Sequence, residues 1–228
     1  MDYWYHATNE YFEKWQVKGV APELKPELLP HSFISFTKDD EQLQGAGSGR
    51  CRITLHPGVN VINLLEDVQF SKLLWETFRL HSFGRTHVAS TSFAVWQDMC
   101  ATGKILRPHL IMDGETTVWQ RKLMANTNAK IKWAVQQNFV RHWIEFIMRL
   151  IKLQGVDGVI CNEHTYHGDN GEHSSINLYI FKPDMISPPE WITLPDPVVR
   201  MADKKALKKM LTKDELKSIK SYPYFFSY

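Results

Sequence analysis

Four side chains of types that bind metal ions lie close together in the last third of the chain. They are Cys161, His164, His167 and His173, and thiolates and imidazoles are ligands that zinc prefers. Their spacing, C-x2-H-x2-H-x5-H, differs from the common zinc patterns, and the segment that contains them is rich in Gly and Asp. We therefore predict no metal site in this chain.

The signatures of several common reaction types are missing. The sequence contains no GxGxxG and no Walker A motif, which cradle phosphates, and no G-x-S-x-G nucleophile elbow. The remaining candidates are a histidine near the N-terminus (His6), two hydroxyl residues in a short apolar run (Ser35 and Thr37) and polar residues late in the chain (Glu172 and Asn177). These residues need strands or helices to bring them together.

The composition describes a globular chain. It has 228 residues, 43% of them hydrophobic and 12% aromatic, with a net charge of +2, which excludes disordered and collagen-like classes. The three cysteines (51, 100 and 161) are odd in number and far apart, so no disulfide framework is expected. The first residues do not resemble a signal peptide, and charges interrupt the most apolar stretch, 139–151. We expect a soluble, cytoplasmic protein that does not enter a membrane.

The hydrophobic pattern predicts short strands at both ends of the chain and helices in the middle. A polar loop is expected over 163–174, and a C-cap is expected at Gly155. The order predicts an α+β fold with an antiparallel or split sheet. The predicted domain covers 1–190, with a helical insert at about 65–137, and 191–228 form a basic helical appendage. The predicted strands are 3–5, 32–37, 51–55, 59–64, 156–162 and 176–181, and the predicted helices are 9–16, 66–80, 88–102, 114–126, 128–153 and two short ones within 200–220.

Three stretches carry a resemblance to a known family. The first is YHAT at 5–8, and the second is FISFT at 33–37, which is followed by a strand and HPGV at 56–59. The third is GVDGVI at 155–160, with NLYIFKPDMI at 177–186 after a loop. In this order they resemble the ADP-ribosyltransferase superfamily, and the leading histidine is closer to its His-type branch, which includes bacterial toxins.

The resemblance implies a split β-sheet core with a helical insertion and a cleft that binds NAD. It implies that His6 donates to a ribose hydroxyl, that Ala7 pairs with the nicotinamide amide and that Tyr5 or Phe36 offers a stacking face. Bond cleavage between nicotinamide and ribose passes through a cation-like transition state, which needs a nearby negative group or aligned dipoles. The implied NAD-binding residues are Tyr5, His6, Ala7, Thr8, Phe36 and Thr37, and the implied catalytic residues are His6, Ser35, Asn177 and Glu172.

The chain departs from the family at one position. The family has a catalytic acid six residues before the Pro that closes the last strand, and that position is Asn177 here. An amide carries no charge and is not a base. Glu172 in the adjacent loop is the first candidate to supply the carboxylate, and Glu163 is a weaker one. The alternative is that no carboxylate is present, and that activity is slow or absent.

The C-terminal region is basic. Residues 200–220 hold eight Lys or Arg and three Asp or Glu at near-helical spacing, which is typical of a solvated helix or of a surface that contacts nucleic acid. We expect an ADP-ribosyltransferase that modifies a macromolecule, RNA, DNA or protein, as a toxin or phage-conflict effector. The alternatives are an inactive module of the same fold that binds NAD or nucleic acid, and an interaction protein in a toxin–antitoxin-like complex that docks through YPYFFSY at 222–228.

Overall fold

The protein is a mixed α+β structure, as the sequence predicts, and it is built on one seven-stranded sheet. The computed structural model describes residues 2–17, 32–43, 47–80, 92–107, 128–166, 172–198 and 212–220. The strands are β1 (Trp4–Thr8), β2 (Ile34–Thr37), β3 (Gly49–Ile53), β4 (Val61–Asn63), β5 (Gly158–Tyr166), β6 (Glu172–Ile180) and β7 (Glu190–Thr193). The helices are α1 (Val68–Leu80), α2 (Phe93–Thr102), α3 (Ala129–Lys152) and α4 (Lys213–Lys220).

The sheet has the order β4-β5-β6-β2-β1-β3-β7. β4 pairs with β5 in parallel, and the other described pairs are antiparallel. β5 and β6 form a long hairpin, which runs from the pair Gly158–Ile180 to the pair Tyr166–Glu172. The N-terminal strands therefore lie beside the C-terminal hairpin, with β2 between β1 and β6.

Two hydrophobic cores form on this sheet because successive strand residues face opposite sides. The larger core joins α1, α2 and α3 to one face and contains Trp96 and Trp143, which are fully buried. Tyr179 of β6 belongs to this core, whereas its neighbour Leu178 belongs to the smaller one. The smaller core contains Trp4, Trp15, Phe36, Cys51 and Ile53.

Helix ends follow local chemistry. Ser92 caps α2 by accepting a hydrogen bond from the Val95 N–H, and Gly103 ends it in the left-handed region at φ 78°. Gly155, at φ 81°, follows α3 and donates to the Lys152 carbonyl, which confirms the predicted C-cap region. Within the described residues, no helix has both the length and the apolar character needed to cross a membrane.

Two predicted elements are wrong, and one strand is missing from the prediction. Residues 9–16 are irregular and not helical, because the Thr8 hydroxyl accepts from the Glu10 N–H and so offers the chain a turn. The described residues of the predicted loop 163–174 are the paired ends of β5 and β6, whose polar composition hid the strand pattern. β7 was not predicted, because the prolines around it indicate a loop, and it extends the sheet beyond residue 190.

The other elements agree with the sequence to within a few residues. The predicted helices at 66–80 and 128–153 are α1 and α3, and the described part of the predicted 88–102 helix is α2. α4 lies within the predicted basic helices. The predicted helix at 114–126, most of the basic segment before residue 212, and the 222–228 peptide lie outside the described residues.

Candidate functional site

β1 and β2 are neighbours that separate after one paired position. Their register contains the single pair Tyr5–Thr37, whereas β1 and β3 pair along five residues. The Ser35 carbonyl instead accepts a hydrogen bond from Nδ1 of His6, with 2.9 Å between the two atoms. The imidazole therefore spans the gap at a point where the strands have parted.

This contact fixes which nitrogen of His6 carries a proton. A carbonyl only accepts hydrogen bonds, so Nδ1 is protonated and, in the neutral ring, Nε2 is an acceptor. Burial lowers the pKa of His6, and the bond to Ser35 opposes that shift only in part. The ring is thus suited to accept a hydrogen bond from a ligand hydroxyl, which reverses the donor role that the resemblance implies.

A cavity of about 230 Å³ opens beside His6. The polar groups in its lining include Thr8 and Ser35, and the aromatic ones include Phe12 and Trp15. Glu10, Lys14, Gln16, Phe33 and Ile34 complete the lining. Flat rings beside hydroxyl and imidazole groups are suited to a ligand that combines an aromatic base with a sugar.

The aromatic wall is anchored to distant parts of the fold. Trp15 lies edge-on to His6, with 5.4 Å between the ring centroids, and its Nε1 donates to the Ser187 carbonyl at 3.0 Å. The Phe12 carbonyl accepts a hydrogen bond of 3.2 Å from Nε1 of Trp191. The irregular 9–16 segment is therefore held over the end of β1 without being helical.

Sequence reasoning did not assign these two aromatic residues to the site. Phe12 and Trp15 fell in the stretch predicted as a helix, where their spacing fits one face. The residues predicted to stack, Tyr5 and Phe36, are not among those that line the cavity. Phe36 is only 2% exposed and packs in the smaller core against Trp15. The sequence feature that could have identified them is their position, as two aromatic residues shortly after the YHAT motif at 5–8.

A second polar group lies on β5 and β6. Glu163 accepts hydrogen bonds from the Asn177 amide (2.7 Å) and from the Tyr179 hydroxyl (2.9 Å) through Oε2. Its Oε1 accepts from the Arg107 guanidinium at 2.8 Å. These four residues are called the Glu163 cluster below. The Glu163 side chain is 23% exposed and that of Arg107 is 16% exposed, so the ion pair is partly buried.

Asn177 is the least satisfied member of the Glu163 cluster. It is 8% exposed, and its Oδ1 is buried with no hydrogen-bond partner within the described residues. The nearby charge of Glu163 adds to burial in raising the pKa values of Tyr179 and Cys161 well above their ordinary ones. The tyrosine hydroxyl therefore remains a donor to the carboxylate at neutral pH.

β2 connects the two polar groups. Ser35 and Tyr179 are register partners, and the Phe33 ring, which lines the cavity, meets the Tyr179 ring edge-on at 5.0 Å. Thr37, another predicted site residue, is buried and pairs with both Tyr5 and Asn177. Asn177 itself does not line the cavity beside His6.

The remaining predicted site residues are placed less favourably. Glu172 opens β6 opposite Tyr166, five positions before Asn177, which corresponds to roughly 17 Å along a strand. The assignment of the catalytic carboxylate to Glu172 therefore stays a prediction. Ala7 pairs with Arg50 on β3 and does not line the cavity. Within the described ranges, no group of three or more His, Cys, Asp or Glu residues could hold a metal ion.

Comparisons with known proteins identify no relative that informs this geometry. No protein-family model, no curated protein and no solved structure matches the chain.

Proposed function

We propose that this chain is an NAD-dependent ADP-ribosyltransferase that binds the nicotinamide-bearing ribose where β1 and β2 separate. The observation that carries the proposal is the His6–Ser35 bond across that gap, beside a cavity with aromatic walls. The His6 ring at that position offers an acceptor for a sugar hydroxyl. The resemblance in sequence points to the same strands.

The described residues fit this substrate in two respects. Nε2 of His6 is an acceptor for a ribose hydroxyl. Phe12 and Trp15 provide apolar ring surface for the nicotinamide. The cavity is too small for a whole dinucleotide, so we assign it the nicotinamide end.

The reaction would exchange one bond at the ribose carbon that carries nicotinamide. The bond to the nicotinamide nitrogen breaks, and its electron pair leaves with neutral nicotinamide. The acceptor's nucleophilic atom forms the new bond and gives up its proton to a base or to water. The chain's contribution would be to orient the sugar, exclude water from one face and stabilise the positive charge that develops on the ribose.

We assign the acceptor to a macromolecule, either nucleic acid or protein, in keeping with the excess of basic residues over 200–220. A toxin or phage-conflict role is consistent with this assignment. The proposal is tested by incubating the full chain with NAD labelled in the adenylate half and, separately, with RNA, DNA or cell protein. Nicotinamide release and transfer of label to one class are expected. Absence of both, with folded protein, would refute the proposal.

A matched pair of histidine variants sharpens that test. His56 also bonds a main-chain carbonyl through Nδ1, that of Asp184 at 3.1 Å, but it is not among the cavity residues. His6→Ala is expected to lower nicotinamide release by about 100-fold because the ribose loses its orienting acceptor, whereas His56→Ala is expected to leave it unchanged. Equal effects of the two changes would indicate that His6 acts only through the fold.

One observation favours a second candidate function, an inactive module that binds NAD. The acid expected at position 177 is an amide, and the nearby Glu163 is already paired with Arg107. NAD binding by the full chain without nicotinamide release, whatever acceptor is added, would support this candidate and refute the transferase.

A further inference from the structure

One fully buried carboxylate has no part in the proposed reaction. Glu145 lies on α3 with no exposed surface, and it is one of the charges that interrupt the apolar stretch 139–151. The residues that follow it, Phe146, Ile147 and Met148, are buried as well. A carboxylate in such surroundings is costly unless it is hydrogen-bonded or paired, so its contacts indicate what it does.

Glu145 binds the main chain just before β2. The Ser32 N–H donates to both carboxylate oxygens, at 3.2 Å to Oε1 and 3.1 Å to Oε2, across 113 positions of sequence. Nε of Arg149, one turn further along α3, lies 3.9 Å from Oε2. A hydrogen bond to an ionised carboxylate is stronger than one between neutral groups. Glu145 therefore restrains the backbone at Ser32.

Ser32 directly precedes the part of β2 that forms a wall of the cavity. The next three residues all line the cavity: Phe33, Ile34 and Ser35. The ladder between β2 and β6 begins at Ile34, and the single pair between β2 and β1 lies at Thr37. The contact with Glu145 therefore comes before both ladders in sequence and holds the end of β2 that they leave without strand pairing.

We infer that Glu145 is a positioning residue for the cavity, which through Ser32 holds the first residues of β2 so that the Ser35 carbonyl meets His6. This inference rests on the proposed function for its effect on the reaction. Ser35 follows Ser32 by three positions, which is roughly 10 Å along a strand, and its carbonyl accepts from Nδ1 of His6. A displacement of Ser32 therefore moves three cavity residues and the carbonyl that orients the His6 ring.

The Ser35 carbonyl decides which nitrogen of His6 is protonated. With the carbonyl in place, Nδ1 is the donor and Nε2 remains an acceptor for a sugar hydroxyl. Without the carbonyl, the proton is free to occupy Nε2, and the ring then offers a ligand a donor. Glu145, which does not line the cavity, therefore acts on the ligand through the tautomer of His6.

Two substitutions of Glu145 separate the reach of the side chain from its charge. Glu145→Asp keeps the charge but is shorter by one methylene, about 1.5 Å, which takes the carboxylate out of hydrogen-bond range of the Ser32 N–H. Glu145→Gln keeps the reach and one oxygen acceptor but loses the charge. Positioning through Ser32 predicts that the first variant is impaired and that the second resembles the wild type.

The tautomer of His6 is measured in the full chain without any ligand. Heteronuclear NMR spectra of the histidine rings at about pH 8, where an unperturbed ring is neutral, distinguish a protonated Nδ1 from a protonated Nε2. We expect the Nδ1–H form in the wild type and in Glu145→Gln, and a shift towards the Nε2–H form in Glu145→Asp. Because the chain has 10 histidines, His6→Asn is used to assign the signal of His6.

Rates of nicotinamide release test the consequence for the reaction. A small displacement of a group that orients the substrate is costly, so we expect Glu145→Asp to lower the rate by about 10- to 100-fold and Glu145→Gln to stay within about threefold of the wild type. Glu76→Asp is the control, because it shortens an exposed carboxylate of α1, and it should change neither tautomer nor rate.

A second control concerns Ser32 itself. Ser32→Ala keeps the donating N–H, and the Ser32 hydroxyl has no hydrogen-bond partner within the described residues. We expect this variant to leave both the tautomer of His6 and the rate unchanged. Ser32→Pro removes the N–H and leaves Glu145 in place, so it is expected to shift the tautomer in the same direction as Glu145→Asp.

The possible results separate this inference from the function on which it rests. A wild type that releases no nicotinamide refutes the proposed function, and the tautomer in Glu145→Asp then still decides whether Glu145 positions the ring. An unchanged tautomer in folded Glu145→Asp overturns the inference. Equal changes in Glu145→Asp and Glu145→Gln also overturn it, because a merely structural carboxylate would produce them. If Glu145→Asp does not fold, an unchanged tautomer in Ser32→Pro overturns the inference instead.

Discussion

His6 and Ser35 are joined by a side-chain-to-backbone hydrogen bond of 2.9 Å where their strands stop pairing. The bond lies where the two strands form no ladder pair, and of its two partners only the ring of His6 titrates. A protonated ring would keep its Nδ1 donor but would lose the acceptor at Nε2. Ligand binding at this gap is therefore expected to depend on pH.

Folding stability should also depend on pH through His6. Burial lowers the pKa of His6 in the folded chain below its ordinary value. As pH falls below about 6.5 the unfolded chain takes up this proton first, so the folded state loses stability until the folded pKa is reached. Above about 6.5 the ring is neutral in both states and contributes nothing to the pH dependence.

The measurement is urea unfolding of the wild type and of His6→Asn at pH 7.5 and pH 5.5. Asn retains a side-chain donor for the Ser35 carbonyl but does not titrate. We expect the free energy of unfolding to fall more between the two pH values for the wild type than for the variant. An equal fall in the free energy of unfolding for both proteins would mean that His6 is exposed enough to protonate freely in the folded chain.

Binding of an aromatic base in the cavity should be visible through Trp15. The indole lies edge-on to His6 and lines the cavity. Nicotinamide or NAD is expected to quench tryptophan fluorescence in a saturable manner, and Trp15→Phe is expected to remove most of that signal while keeping the ring surface. Trp75→Phe is the control, because Trp75 packs against Phe93 in the other core. Undiminished quenching in Trp15→Phe would place the ligand elsewhere.

Much of the fold follows from local patterns in the sequence. Burial alternates from residue to residue along β3, and α3 has a wide apolar face that ends at the Gly155 turn. Both elements can be predicted because their hydrophobic residues recur at the spacing of a strand and of a helix. The outer halves of β5 and β6 were missed because they are polar, and their pairing depends on a hairpin contact that no single window contains.

Only part of the candidate site could likewise be predicted from the sequence. His6, Ser35 and Asn177 could be singled out because each lies within a short motif. Arg107 could not, because it reaches Glu163 from a turn 56 positions away in sequence. Glu172 was preferred to Glu163 as the carboxylate because a loop was expected where strands form, and strand register then separates Glu172 from Asn177.

Removing Arg107 should destabilise the fold. Arg107→Met leaves the partly buried Glu163 without its ion-pair partner, which is expected to cost about 1–3 kcal/mol of unfolding free energy. Lys38→Met is the comparison, since Lys38 pairs with Asp2, whose side chain is 90% exposed, and such pairs contribute about 0–1 kcal/mol. Urea unfolding at pH 7 measures both, and a larger loss in Lys38→Met would contradict this account of the Glu163 cluster.

Gly47 supports the end of β1 by its lack of a side chain. A Cβ at this position would lie 2.6 Å from the backbone of Thr8, so Gly47→Ala must displace one of the two segments. We expect a loss of about 1–3 kcal/mol, together with weaker NAD binding because Thr8 lines the cavity. Gly58→Ala is the control for backbone strain, since φ is +81° but no atom lies within 4 Å of the added Cβ. Gly58→Ala should lower the free energy of unfolding and leave the affinity for NAD unchanged.

Two tryptophans of the larger core should respond differently to replacement by phenylalanine. Trp143 is fully buried, and its Nε1 donates to the Ile105 carbonyl at 2.7 Å. Trp143→Phe leaves that carbonyl unsatisfied and opens a void, which is expected to cost about 2–4 kcal/mol. Nε1 of Trp75 is buried with no partner in the described part of the chain, so Trp75→Phe removes an unsatisfied donor and should cost about 0–1 kcal/mol. Equal losses in thermal or urea unfolding would show that the Ile105 contact contributes little to the stability of this core.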